Sequence, residues 1–272
     1  MRRWELWLVP ALAFLALFFF VPILLMAGRS LPDFSVKLYG EIFRTPLYFL
    51  VIANTFRIAT IVTVLCLLLG YPIAYWLSGL TARRANLCLV FVLVPYFTSV
   101  LVRTYAWMVL LSNDGLINRA LQSLHLITHP LKLIYNDTGV FIGMTYVLLP
   151  YMVLTLYAAM RSVDRRLLMA AAACGATPFQ AFLRIFLPVT MHGVGGGCLL
   201  VFVLALGFFI TPALMGGPHQ TMIAMLIATE VDKLLDWGFA SALAVVLLVL
   251  TLGGIVIFDR LVGIATLFER RG

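Results

Sequence analysis

Charge is scarce in this chain: Asp, Glu, Lys and Arg make up 11% of its 272 residues, against roughly 25% in an average soluble domain. Hydrophobic residues account for 63% and mean hydropathy is +1.07. A soluble fold of this length cannot bury that much apolar surface. Carboxylates are scarcest where they would matter most, because none lies near the centre of a long apolar run. Ion-coupled carriers usually hold their driving proton or sodium on such intramembrane acids. The chain also has no Gly-Lys dipeptide, which excludes the phosphate-cradling loop of an ATPase. The four cysteines, Cys66, Cys88, Cys174 and Cys198, show no CxxC spacing and read as packing residues rather than metal or redox ligands. The four histidines are scattered rather than clustered with acids at span ends, which argues against a membrane-embedded enzyme. His125 and His129 have i, i+4 spacing but no Asp or Glu nearby, so no zinc site is expected. There is no low-complexity tract and no internal repeat.

What the chain does have is apolar sequence in runs of about 20 residues, bounded by charges or turn residues. They fall at about 7–28, 50–79, 87–111, 138–160, 189–212 and 239–262, each able to cross about 30 Å of hydrocarbon. The expected fold class is therefore an all-α membrane protein, a single transmembrane domain over 1–272 with about six spans. The N-terminal run is too long for the apolar core of a signal peptide and lacks a small-x-small cleavage site, so it is read as the first span. Arg2, Arg3, Arg83, Arg84, Arg161, Arg165, Arg166, Arg184, Arg260, Arg270 and Arg271 share one side if the spans alternate. By the positive-inside rule that side is the cytoplasm, with both termini in it. Asp33, Glu41, Asp114, Asp137, Glu230, Asp232 and Asp236 fall on the other side. The net charge of +8 thus sets orientation and does not imply nucleic-acid binding. Trp107 and Trp237 lie near span ends, where an indole favours the headgroup region.

The cytoplasmic stretch VDRRLLMAAAACGATPFQAFLRIFLPVTMHGV, 163–194, is the most informative. Asp164 is expected to cap a first helix that stops at Gly175, a residue suited to a left-handed backbone. Thr177 then caps a second helix, with Pro178 at its first position and Gln180 completing a capping box. Pro188 is expected to end that helix and start the next span. Phe179, Phe182, Leu183 and Phe186 form one apolar stripe, which either packs on the chain's own spans, lies in the lipid interface or docks a partner. A small-residue patch at Ala170 to Ala173 favours close docking by another protein.

Ala170, Ala171, Gly175, Ala176, Phe182, Ile185, Leu187, Pro188 and Gly193 resemble the EAA loop of ABC importer permeases, E-A-A-x3-G-A followed by I-x-L-P. Met169 stands at that motif's glutamate position. Asn54-Thr55, Gly70-Tyr71-Pro72, Pro95 to Tyr105 with Trp107 and SNDGLINRAL, and Gly207 to Pro218 with Asp236-Trp237 are similar to the spermidine/putrescine permease subgroup. Permeases for ferric iron, phosphonates and opines share much of this pattern. The resemblance implies the type I ABC importer permease fold in the bacterial cytoplasmic (inner) membrane, with a coupling loop at about 161–188. It implies two cytoplasmic ATPase subunits holding ATP and Mg2+, with no cofactor on this chain. A second homologous permease, expected as a heterodimer, an extracellular (periplasmic) binding protein and the lipid bilayer complete the set. Ala170, Ala171, Gly175, Ala176, Phe179, Phe182 and Pro188 would face the ATPase. A channel or ion-coupled carrier is the alternative reading.

Candidate path residues follow from cost and chemistry. Arg103 lies deep enough in the third run that leaving it in lipid is expensive, so it faces protein or a water-filled path, or else snorkels to the headgroups. Tyr96, Tyr105, Trp107, Tyr146 and Tyr151 offer aromatic faces to a cationic solute, while Asn54 is a polar candidate inside the second run. Arg103 itself opposes a purely cation-attracting path. Gly193 and Gly197 permit close helix packing or bending, and Pro212 is expected to break the fifth span at an outer gate.

Overall fold

The computed structural model describes residues 8–31 and 35–262. Arg2, Arg3, Asp33, Arg270, Arg271 and both termini lie outside the described residues. Among the described residues the chain is helical, with no β-strand. The helices are α1 (Leu8–Arg29), α2 (Lys37–Arg44), α3 (Pro46–Gly79), α4 (Ala82–Leu93), α5 (Val100–Leu111), α6 (Leu116–Ser123) and α7 (Asp137–Arg161). They continue with α8 (Arg165–Ala173), α9 (Pro178–Ala181), α10 (Leu187–Leu206), α11 (Ile210–Met215), α12 (Ile223–Thr229) and α13 (Trp237–Val262). Five described helices are long and apolar enough to cross a membrane, or six if one bent pair counts as a span.

The core is a three-helix packing of α3, α7 and α10. Ile58, Val62 and Cys66 of α3 meet Met144, Leu148, Met152 and Leu156 of α7, with Val201 and Ala205 of α10 closing the cluster. Small residues let these helices approach. A Cβ added at Gly193 would collide with the Cβ of Ala159, and one at Gly197 would stand 2.9 Å from the Met152 sulfur. In hydrocarbon such close packing is a main source of helix association, since lipid tails are as apolar as leucine. A second cluster joins α2 and α13 through Ile42, Phe239, Ala242 and Leu243, and α1 packs against α13. At 34 residues, α3 is roughly 51 Å long at 1.5 Å per residue, more than the thickness of the hydrocarbon layer.

Three sequence expectations are corrected. The third run, 87–111, is not one continuous helix: α4 and the 3-10 turn Val94–Phe97 are bent by 94° from α5. Pro95 has no N–H for the carbonyl of Phe91 and its ring crowds that carbonyl, while Thr98 and Ser99 are extended. Pro188 stands in the first turn of α10, as expected, but it does not end the helical course of the segment before it. Pro178–Leu206 is a single helical stretch, in which a π turn at Phe182–Phe186 sends the Leu187 N–H to the Phe182 carbonyl. The wider turn accommodates the proline that a regular α turn would reject. Pro212 does not break the fifth span, because α10 stops at Leu206 with Gly207 past its end, and Pro212 is buried inside the short α11.

Gly193 and Gly196 make a paired test of the α7–α10 contact. An added Cβ at Gly196 meets nothing nearer than a Thr155 methyl at 4.0 Å. Gly193→Ala is expected to destabilise the solubilised protein by about 1–3 kcal/mol through overpacking, whereas Gly196→Ala should be neutral or stabilising by up to about 1 kcal/mol. Thermal melts of the two variants check this.

Candidate functional site

Two regions carry the candidate residues. The first is the segment between α7 and α10. The Asp164 carboxylate accepts the Arg166 backbone N–H at 2.9 Å and starts α8. Gly175 ends it with φ +82, a left-handed conformation that favours glycine. The Thr177 hydroxyl accepts from the Gln180 N–H at 3.3 Å, and the Gln180 side chain accepts from the Thr177 N–H at 3.0 Å. That reciprocal capping box starts α9 as its sequence spacing requires. Ala170, Gly175, Phe179 and Pro188 are exposed, Ala176 is half-buried and Ala171 is buried. The apolar stripe is divided: Phe179 and Leu183 face outward at 69% and 42% exposure, while Phe182 and Phe186 turn onto Tyr71 and Tyr75 of α3.

The second region lies beside the broken helix. Arg103 does not snorkel; it is 7% exposed, and its Nε and Nη1 are sealed from solvent with no hydrogen-bond partner. A guanidinium does not lose its proton in a protein, and an unpaired buried charge is strongly unfavourable. Arg103 lies within electrostatic reach of Tyr151, whose hydroxyl donates to that of Tyr96 at 3.2 Å with the rings edge-to-face. Next to it, Thr104 and Thr211 share a hydrogen bond of 3.2 Å that ties α5 to α11.

The other path candidates do not converge on that spot. Trp107 and Tyr146 form their own edge-to-face pair in a cavity of about 470 Å³ lined chiefly by Leu65, Phe141, Ile142 and Leu149. Tyr105 borders a different cavity with Lys132 and Tyr135. Asn54 donates to the carbonyls of His219 and Thr221, both at 3.0 Å, so it holds a loop. The same loop is gripped by the Gln220 amide, which donates to Asp137 at 2.8 Å, and the same Asp137 oxygen accepts from Arg57 at 2.9 Å.

No family model matches the chain. Individual relatives do match it. It is 36% identical over 250 residues to the spermidine/putrescine transport system permease protein PotB of Salmonella typhimurium (strain SL1344), covering 88% of this chain and 87% of that one. Against PotB of Escherichia coli (strain K12) the identity is again 36%, over 88% and 90% of the two chains. The chain belongs to the ABC importer permeases, in the spermidine/putrescine permease subgroup. A putative 2-aminoethylphosphonate transport system permease of Salmonella paratyphi A is 27% identical, covering 91% of this chain and 88% of the relative. The fold matches a bacterial alginate ABC transporter solved with its alginate-bound periplasmic protein, with TM-score 0.77, 17% identity and 95% and 94% of the two chains covered. The chain is thus a permease subunit of an ABC importer and a multi-pass protein of the bacterial inner membrane. That family membership removes the channel and ion-coupled carrier readings.

In this permease, sequence reasoning missed Tyr75 and the role of Arg161. The Arg161 guanidinium donates to the carbonyls of Ser78 at 3.4 Å and Leu80 at 2.9 Å, capping the end of α3 from the last residue of α7. Tyr71 and Tyr75 are one turn apart, as are Phe182 and Phe186, and that double i, i+4 pairing was the available signal. The permease also permits a direct test of its buried charge. Arg103→Met keeps the length and removes the cation, so thermal stability should hold or rise by roughly 1–2 kcal/mol while solute uptake falls. A melt and an uptake assay on the same preparation read both effects.

Proposed function

We propose that this permease subunit carries spermidine, putrescine or a closely similar small solute, delivered by an extracellular (periplasmic) binding protein. The observation that carries this reading is 36% identity over 250 residues with permeases named for spermidine/putrescine transport. Two cytoplasmic ATPase subunits, which bind the ATP and Mg2+, engage the loop at about 161–188, and a second homologous permease completes a heterodimer. The bilayer covers the remaining apolar surface and nucleic acid has no part. Both termini lie in the cytoplasm, as the arginine clusters require, and the chain is one transmembrane domain.

Docking on the ATPase falls to the face that shows Met169, Phe179 and Leu183 to solvent beside Ala170 and Gly175. Closure of the ATPases draws the coupling segments of the two permeases together and switches the spans from inward-open to outward-open; hydrolysis resets them. Gly193, Gly197 and Pro212, all buried at helix contacts, are the points about which spans rearrange. Aromatic faces at Tyr96, Tyr105, Trp107, Tyr146 and Tyr151 attract ammonium groups without intramembrane acids. At the outer rim, burial first, and then Asp236 and Glu41, push the Glu230 carboxyl up from its ordinary range. A bound polycation relieves that crowding.

A second reading rests on Arg103, whose Nε and Nη1 are buried without a partner, which suits a solute that carries an anionic group beside its amine. Uptake of labelled spermidine by the reconstituted transporter, challenged with excess 2-aminoethylphosphonate, separates the two. Competition by spermidine and putrescine alone supports the polyamine; competition by the phosphonate alone overturns it. The docking role has its own test. Gly175→Val places a β-branched residue at a left-handed position, which costs about 1–2 kcal/mol or more locally. Solute-stimulated ATPase activity should then be lost, and retained stimulation would count against docking at this turn.

A further inference from the structure

The bend between α4 and α5 lies level with the middle of α7. There the Tyr96 hydroxyl accepts from that of Tyr151 at 3.2 Å, with ring centroids 5.4 Å apart. Tyr151 stands within α7, a helix long and apolar enough to cross the membrane, roughly 21 Å from its first residue and 15 Å from its last at 1.5 Å per residue. A hydrocarbon layer of about 30 Å laid over α7 therefore has the bend near its centre. The backbone at this level is not helical throughout. The 3-10 turn ends at Phe97, Thr98 and Ser99 are extended, and α5 begins at Val100 without a side-chain cap. Tyr96, Phe97, Thr98 and Ser99 are all exposed. Among the described residues, the N–H groups of Ser99, Val100, Leu101 and Val102 have no acceptor, and the Ser99 hydroxyl has no partner.

Hydrocarbon offers nothing to such groups. Non-helical backbone at this depth persists only where it is buried in protein or lines a water-filled cavity, and this stretch is not buried in its own chain. A span of the second permease laid against it would bring backbone carbonyls already bonded inside its own helix. Water brings free donors and acceptors together. We propose that residues 96–99 form part of the wall of a water-filled path by which the solute crosses the middle of the membrane, with Thr98 and Ser99 as its polar residues. The inference rests on the chain's being a permease subunit and not on which solute it carries. The Thr98 hydroxyl gives its proton to the Pro95 carbonyl at 2.6 Å and keeps lone pairs with which to accept. The Tyr96 hydroxyl receives a proton from Tyr151 and keeps its own to donate. A serine hydroxyl does either. The wall thus presents neutral donors and acceptors, with no carboxylate among them. Such groups replace a few waters around a passing polar solute without the grip of an opposite charge, and a path conducts only if the solute leaves each point as readily as it enters.

The test uses the whole transporter in proteoliposomes, with its second permease, ATPases and binding protein. The probe is a small cationic methanethiosulfonate that does not cross lipid, supplied to both faces. Ser99→Cys and Thr98→Cys are compared with Phe18→Cys, which is exposed halfway along α1. Labels are located by peptide mass, so the native cysteines stay in place. A thiolate in water is the form that reacts, so the two bend variants should label at least about tenfold faster than Phe18→Cys. Complete labelling of either bend variant should abolish the spermidine uptake measured before it. Rates no faster than that of Phe18→Cys overturn the proposal, because lipid or the second permease then covers the bend. Fast labelling that leaves uptake unchanged overturns it as well, since the water would then fill a crevice off the path. A native transporter that takes up no spermidine refutes the polyamine reading instead, and the labelling rates, which need no solute, still decide this one.

Discussion

Hydrocarbon supplies no water to satisfy a freed backbone N–H or C=O, so every interruption in these helices has to be answered by a neighbouring group. The structure is largely a record of those answers. At the break after Pro95, the Thr98 hydroxyl donates to the Pro95 carbonyl at 2.6 Å. Where α12 begins, its Ile223 N–H donates to the buried Thr55 hydroxyl at 2.9 Å. The chain between α11 and α12 hangs its carbonyls on Asn54, and the end of α3 hangs its own on Arg161. Apart from Thr98, the answering side chains come from distant parts of the sequence, which is how short helix breaks become fixed points of the tertiary fold.

Arg103 stands apart from this pattern. It sits beside threonines and tyrosines that have found one another, yet two of its own nitrogens have no partner. Such a residue is poor evidence for stability, since a buried charge without an acceptor works against folding. Arg103 lies on α5, just past the bend from α4, within electrostatic reach of Tyr151.

The local chemistry of the segment between α7 and α10 was legible because it depends on close neighbours in the chain. The Asp164 cap, the Thr177–Gln180 box and the left-handed Gly175 all appear where their spacing places them. The run from 87 to 111 misled because hydropathy measures composition and not direction, so a proline and two extended residues inside it left the apolar signal intact. Pro188 misled for a related reason. A proline forbids a regular α turn, but a π turn accommodates it, and no periodicity in the residues distinguishes the two. The stripe from Phe179 to Phe186 was read as one face, whereas Phe182 and Phe186 lie against α3 and Phe179 and Leu183 face out.

Membrane residence and a helical fold with five or six apolar spans follow from the sequence alone, because each is a sum over apolar or charged residues and needs no partner. Where those spans bend, which aromatic residues meet, and which carbonyls Arg161 and Asn54 hold were decided only by tertiary structure. These depend on groups more than 50 residues apart in the chain being brought within hydrogen-bond or ring-contact distance, and a linear pattern carries no record of such distances.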